Sequence, residues 1–168
     1  MMITTADTTL RIREFTRREK TCIRQDVKRF EKIGRDHHCN SLEDYVDFVR
    51  ERIRFTDEGG ITTKSLLLIR GLIAYFGDRL IRQTTMERVA TTLQHTPGSL
   101  VRDPQTFQTV FIANLIFDHL IADDLWAPSL DEIMDELIDW NDGYLDTEDV
   151  QTDYAWDPNT GLREYLVA

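Results

Sequence analysis

Residues 107–126 read FQTVFIANLIFDHLIADDLW, and the first fifteen are apolar in almost every direction around a helix. A segment that is hydrophobic all round has to be buried. It predicts a central helix with the rest of the chain arranged about it. Leu66–Phe76 is a second such run, interrupted by Arg70, while Asp118 and His119 interrupt the first. Neither reaches the ~20 uninterrupted apolar residues that a membrane span needs. Two buried core helices follow, and 168 residues are enough to enclose them in one domain.

Upstream, residues 11–35 place Ile12, Phe15, Ile23, Val27, Phe30 and Ile33 at helical steps, with Glu19 and Cys22 filling the gap. The spacing predicts one amphipathic helix with a narrow apolar stripe. Gly34 and the polar run RDHHCN end it. Ser41-Leu42-Glu43-Asp44 has the form of a capping box and opens a helix that buries Tyr45, Val46, Phe48, Val49 and Ile53. Asp57–Gly60 is a turn, and Thr62 or Thr63 caps the next helix. Gly71 inside that helix costs about 1 kcal/mol against alanine, so it implies a close helix contact. Thr85 opens a short helix to Leu93, and Ser129 caps another through Trp140. Asp103-Pro104 begins the central helix, with proline at the first helical position.

The three caps Ser41, Thr85 and Ser129 stand 44 residues apart, and apolar residues follow each at matching steps. Three stacked helix pairs would produce such a period. The expected fold is mainly α: a compact bundle of about five to six helices over residues 1–150, stacked pairs being one arrangement. Residues 151–168 differ. Asp157-Pro158-Asn159-Thr160-Gly161 is a turn sequence between TDYAW and LREYLVA, which predicts a small C-terminal β-hairpin. A lone hairpin is marginal in water, so this one packs on the helices or serves as a docking arm.

Charge is segregated along the chain. Residues 1–35 carry ten basic and five acidic side chains, residues 36–117 nine and ten, and residues 118–168 one and fifteen. The three parts, +5, −1 and −14, give the net −10. Such an acidic total argues against nucleic-acid and anionic-membrane binding. Opposite ends of this polarity attract, within one molecule or between neighbours, and a head-to-tail contact closes into rings or extends into filaments. Two cysteines, Cys22 and Cys39, make no disulfide framework, and MMITTADTTL has no leader pattern, so a reducing, cytoplasmic setting is expected.

Candidate chemistry is sparse. His37-His38-Cys39, with Cys22 upstream, has metal-ligand types, but three adjacent residues do not wrap a tetrahedral ion. His119 and Asp123 share a helix face as a base and an orienting acid would, without a nucleophile at recognisable spacing. Glu132, Asp135, Glu136 and Asp139 stand three and four apart, where carboxylates can hold Mg²⁺. This resembles the acidic helices of all-α nucleotide pyrophosphohydrolases over under ten residues, with Glu43, Asp44, Asp47 and Glu51 as the second acidic set. Met86–Asp103 resembles a helix-turn-helix over about eighteen residues, with Val89, Ala90, Leu93 and Leu100 at its packing positions. That resemblance implies a DNA-binding regulator, but Arg102 is the one cation in the would-be recognition helix.

No catalytic constellation emerges from these candidates. The expected function is a non-enzymatic helical interaction module: an adaptor, assembly factor or inhibitor. It would bind a protein partner, or itself, through Arg13, Arg17, Arg18 and Arg24 of the basic N-terminal helix, an acidic C-terminal region, and Tyr154, Trp156 and Tyr165 of the tail. No cofactor is expected. The alternatives are the helix-turn-helix regulator and the Mg²⁺-dependent pyrophosphohydrolase.

Overall fold

The computed structural model describes residues 12–91, 98–121, 127–145 and 166–167. In chain order the elements are strand β1 (Ile12–Arg13), helices α1 (Arg17–Asp36), α2 (Leu42–Arg50) and α3 (Thr63–Gln83), strands β2 (Glu87–Arg88), β3 (Ala90–Thr91), β4 (Leu100–Arg102) and β5 (Thr109–Phe111), helices α4 (Ile112–Ile121) and α5 (Leu130–Asn141), and strand β6 (Leu166–Val167). The fold is mainly α with small antiparallel strands. No helix among the described residues is long and apolar enough to cross a membrane.

Helix α3 is the element that every other helix touches. Thr62 caps it by accepting from the Ser65 amide. Residues 71–77 are buried without a break. The middle of the molecule is therefore the second apolar run rather than residues 107–126. Gly71 makes the close contact its sequence position implied: a methyl group there would overlap the Phe30 ring of α1. Asp26, 2% exposed, joins the same two helices through both of its oxygens, to Arg70 Nε at 2.8 Å and Nη2 at 3.1 Å.

Helix α1 begins later than its apolar stripe suggests. Ile12 and Arg13 pair with Thr91 and Ala90 as strand β1. Thr16 then caps the helix, with Glu19 closing the capping box. Gly34 does not end it. The helix runs to Asp36, and the missing side chain at position 34 makes room for the Tyr45 hydroxyl of α2.

The largest departure lies between Thr85 and Phe111. The expected helix from Thr85 to Leu93 is absent, and β2 and β3 stand there instead, so the 44-residue repeat is not a structural one. The Thr85 hydroxyl does not cap a helix. It donates to the buried carboxylate of Asp103, and its backbone amide donates to Asn141 Oδ1 at 3.1 Å. Asp103 does start a helical turn: its Oδ1 accepts from the Gln105 and Thr106 amides, and its carbonyl accepts from the Phe107 amide. Phe107 then takes a left-handed φ of 62° and stops that turn after one cycle. Thr109, Val110 and Phe111, branched and aromatic, pair with Arg102, Val101 and Leu100. The expected helix over 107–126 thus begins with the three-residue strand β5. Its helical part is α4, and residues 122–126 lie outside the described set.

The strands form two antiparallel sheets, β1-β3 and β2-β4-β5-β6. Leu166 and Val167 pair with Val110 and Thr109, bringing the chain's end onto β5. The expected hairpin turn at Asp157–Gly161 lies outside the described residues.

Candidate functional site

Helix α1 presents an outer face on which four cations stand in line, with Glu31 the one carboxylate of the helix beside them. Glu19 is held by Arg13, with Nη1–Oε1 and Nη2–Oε2 both 2.7 Å, and also accepts from the Thr16 amide at 2.9 Å. These bonds, the one from Arg13 foremost, hold the Glu19 carboxyl down to about 2. Asp26 is buried against Arg70 and Arg29. Asp36 pairs with Lys32 at 2.6 Å. Ile23, Asp26, Val27, Phe30 and Gly34 turn inward. Arg17, Arg24, Lys28 and Arg35 fall seven, four and seven residues apart on the outer side, all exposed. None of them makes an ion pair with another described residue. At about 1.5 Å per residue the stripe runs roughly 27 Å.

Of the residues expected to bind a partner, Arg17, Arg18 and Arg24 are therefore exposed and unpaired among the described residues, with Arg18 beside the stripe rather than in it. Arg13 is different. Its guanidinium braces the first turn of α1, and the Glu19 contact raises its pKa further. Lys28 and Arg35 complete the stripe and were not singled out from sequence; the seven-residue spacing was the available signal. Tyr154, Trp156 and Tyr165 lie outside the described residues.

A second constellation joins the starts of α2 and α5. Each helix opens with the same four-residue pattern, Ser41-Leu42-Glu43-Asp44 and Ser129-Leu130-Asp131-Glu132. Each serine caps its own helix, accepting from the Asp44 and Glu132 amides. The acid two places on serves the other helix. Asp131 accepts from the Leu42 and Glu43 amides at 2.9 and 3.1 Å, and Glu43 accepts from the Leu130 amide at 3.4 Å. The first three free amides of α2 are all satisfied this way, one by Ser41 and two by Asp131.

His119, 5% exposed on α4, reaches Glu43 with Nε2 at 2.5 Å from Oε1. Burial works against the Glu43 carboxylate, but His119 and the Leu130 amide more than offset it and hold its pKa below the ordinary range. Arg50 binds the His119 carbonyl at 2.6 Å. The partner of His119 is thus Glu43 of a distant helix; Asp123 lies outside the described residues. The two serines near this pair are both helix caps, so neither is placed as a nucleophile activated by it. What the arrangement does is tie the ends of three helices together.

The second acidic set is largely engaged by other groups. Glu43 belongs to His119, Asp44 accepts from the Asn40 and Ser41 amides, and Asp47 sits 3.7 Å from Arg50. Among the described residues no group of three or more His, Cys, Asp or Glu side chains is poised around a common point for a metal ion. Residues 87–88, 90–91 and 100–102 are strands, so the two helices of a helix-turn-helix do not form there, and Arg102 lies over the Phe107 ring at 4.9 Å. Compared with family models, curated proteins and solved structures, the chain matches none.

Proposed function

We propose that this protein is a non-enzymatic interaction module that docks an acidic protein surface along the outer face of α1. One observation carries the reading: Glu19, Asp26 and Asp36 of the helix are taken up by Arg13, Arg70, Arg29 and Lys32, while Arg17, Arg24, Lys28 and Arg35 stand in one line with no described ion-pair partner, Glu31 being the one acid of the helix beside that line. A solvated helix gains nothing from that segregation. A complementary acidic surface gains orientation and association rate from it. The net charge of −10 makes a nucleic acid a poor partner for the whole molecule. The protein's own C-terminal region, −14 over residues 118–168, supplies a suitable surface on a second copy. Tyr154, Trp156 and Tyr165 would add apolar contact area to such an interface.

The test is molar mass by light scattering behind size exclusion, at low and high salt, for the native chain and for Arg17→Glu/Arg24→Glu. Self-association at low salt, lost at high salt and in the variant, is the expected result. A native chain that stays monomeric at low salt and captures no acidic protein through α1 would sink the proposal. Retention on DNA at moderate salt would replace it.

A further inference from the structure

A cleft of about 440 Å³ lies between the start of α2, the second half of α3 and the first turns of α5. That is within the size range of pockets that hold small molecules. Its walls carry opposite charges. Arg79 lines it from α3, and Asp135 from α5. Both are exposed, and neither makes an ion pair with a described residue, nor with the other. Asp131 also borders the cleft, but its two oxygens are engaged by the Leu42 and Glu43 amides. One cation and one carboxylate are therefore open to a ligand, on walls belonging to different helices.

Tyr45 and Tyr75 also line the cleft, their rings 4.5 Å apart. Burial, then the hydrogen bond with Tyr75, push the Tyr45 hydroxyl above its ordinary range, while the nearby Arg79 charge acts the other way. Tyr45 is thus neutral at physiological pH and close to Arg79. The Tyr45 hydroxyl is taken up against Gly34 and Tyr75, so the Arg79 guanidinium is the donor open to a carboxylate. Across the cleft, Asp135 suits an ammonium group. Met134 and Leu42 offer apolar surface between them. A polyanion is disfavoured by the two acids, and a simple cation by Arg79.

We propose that this cleft binds a free amino acid or a similarly small zwitterion, with its carboxylate on Arg79 and its ammonium on Asp135. The site is separate from the α1 face, so the protein would sense or carry a small molecule as well as dock a partner. Thermal-shift and calorimetric titration of the full chain with each standard amino acid tests it. A subset should raise the melting temperature. Within that subset, the N-acetylated ligand and the decarboxylated amine should each bind about tenfold more weakly or worse, since each loses one charge-assisted hydrogen bond. Arg79→Met and Asp135→Asn should weaken binding similarly while leaving helix content unchanged, because both side chains are exposed. If no amino acid binds at millimolar concentration, or if binding survives both substitutions, the proposal fails. Should either variant misfold, the comparison of modified ligands on the native chain still decides.

Discussion

Three stretches of this chain carry the same opening signal, and one of them does not become a helix. At Ser41 and Ser129 a hydroxyl caps the helix that follows it. At Thr85 the hydroxyl goes to Asp103, eighteen residues on, and the chain continues as β2 and β3. An N-cap contributes only about 1 kcal/mol. A buried carboxylate that collects several donors outweighs it. Asp103, 2% exposed, accepts from Thr85, from Asn141 Nδ2 at 2.8 Å, and from the Gln105 and Thr106 amides at 2.8 and 3.2 Å. The serine caps prevail because tertiary contacts reinforce them: Asp131 and Glu43 bind across to the neighbouring helix. A local signal decides when its long-range partners agree with it, and yields when they do not.

The largest expected effect comes from removing the competitor. Asp103→Ala leaves the Asn141, Gln105 and Thr106 donors without their acceptor and should cost about 3 kcal/mol in urea unfolding. It should not convert residues 85–93 to helix, because Met86, Ala90 and Thr91 are buried in their strand arrangement. A gain of helical circular dichroism would mean that Asp103 alone had suppressed the helix. Asp103 also fixes a pH dependence. Burial tends to raise its pKa, but the Thr85, Asn141, Gln105 and Thr106 hydrogen bonds overcome that and hold it down to about 2. Its folded value thus lies below the unfolded ~3.9. The stability it contributes is fully present above about pH 4 and is lost as the pH falls towards 2. The native chain should lose stability over that window more steeply than Asp103→Ala.

The features legible in the sequence are those whose cause lies within a few residues. Ser41 and Ser129 cap as their spacing said, the cap expected at Thr62 or Thr63 falls to Thr62, and Gly71 marks the α1–α3 contact. Helix α1 shows the limit even of local signals: Thr16 and Glu19 form a capping box inside the predicted helical stripe, because β1 claims Ile12 and Arg13. What was not legible depends on distant partners. His119 finds Glu43 of α2, and Asp26 finds Arg70 across the α1–α3 contact. Residues 109–111 satisfy the apolar pattern of a buried helix and of a buried strand equally, and the choice falls to β4 and to the turn at Phe107. At the candidate interface, the exposure of Arg17, Arg18 and Arg24 followed from the charged side of the helix. The withdrawal of Arg13 did not, since it needs the fold-back of β1 before the helix.

The reinforcement at α2 and α5 can be measured by cutting it. Asp131→Ala removes the acceptor of two α2 amides while leaving Ser41 in place, and should cost about 2 kcal/mol. The comparison with Thr85 rests on this value. If Asp131→Ala proves nearly neutral in chemical denaturation, the serine caps stand by local chemistry alone, and the failure at Thr85 must come wholly from Asp103.

The smallest effect should come from the local cap itself. Ser41→Ala exposes only the Asp44 amide, since Asp131 retains the Leu42 and Glu43 amides, so the expected cost is about 1 kcal/mol. The two substitutions open different amides of one helix end. Their costs should add in Ser41→Ala/Asp131→Ala to within about 0.5 kcal/mol. Additivity would mean that the cap and the cross-helix carboxylate act as separate contributions pointing the same way, which is the condition Thr85 lacks. A coupling well above that would mean that Ser41 orders the first turn so that Asp131 can reach it. The local signal would then be a prerequisite for the distant one, and Thr85 would have failed at the first step, before Asp103 could compete.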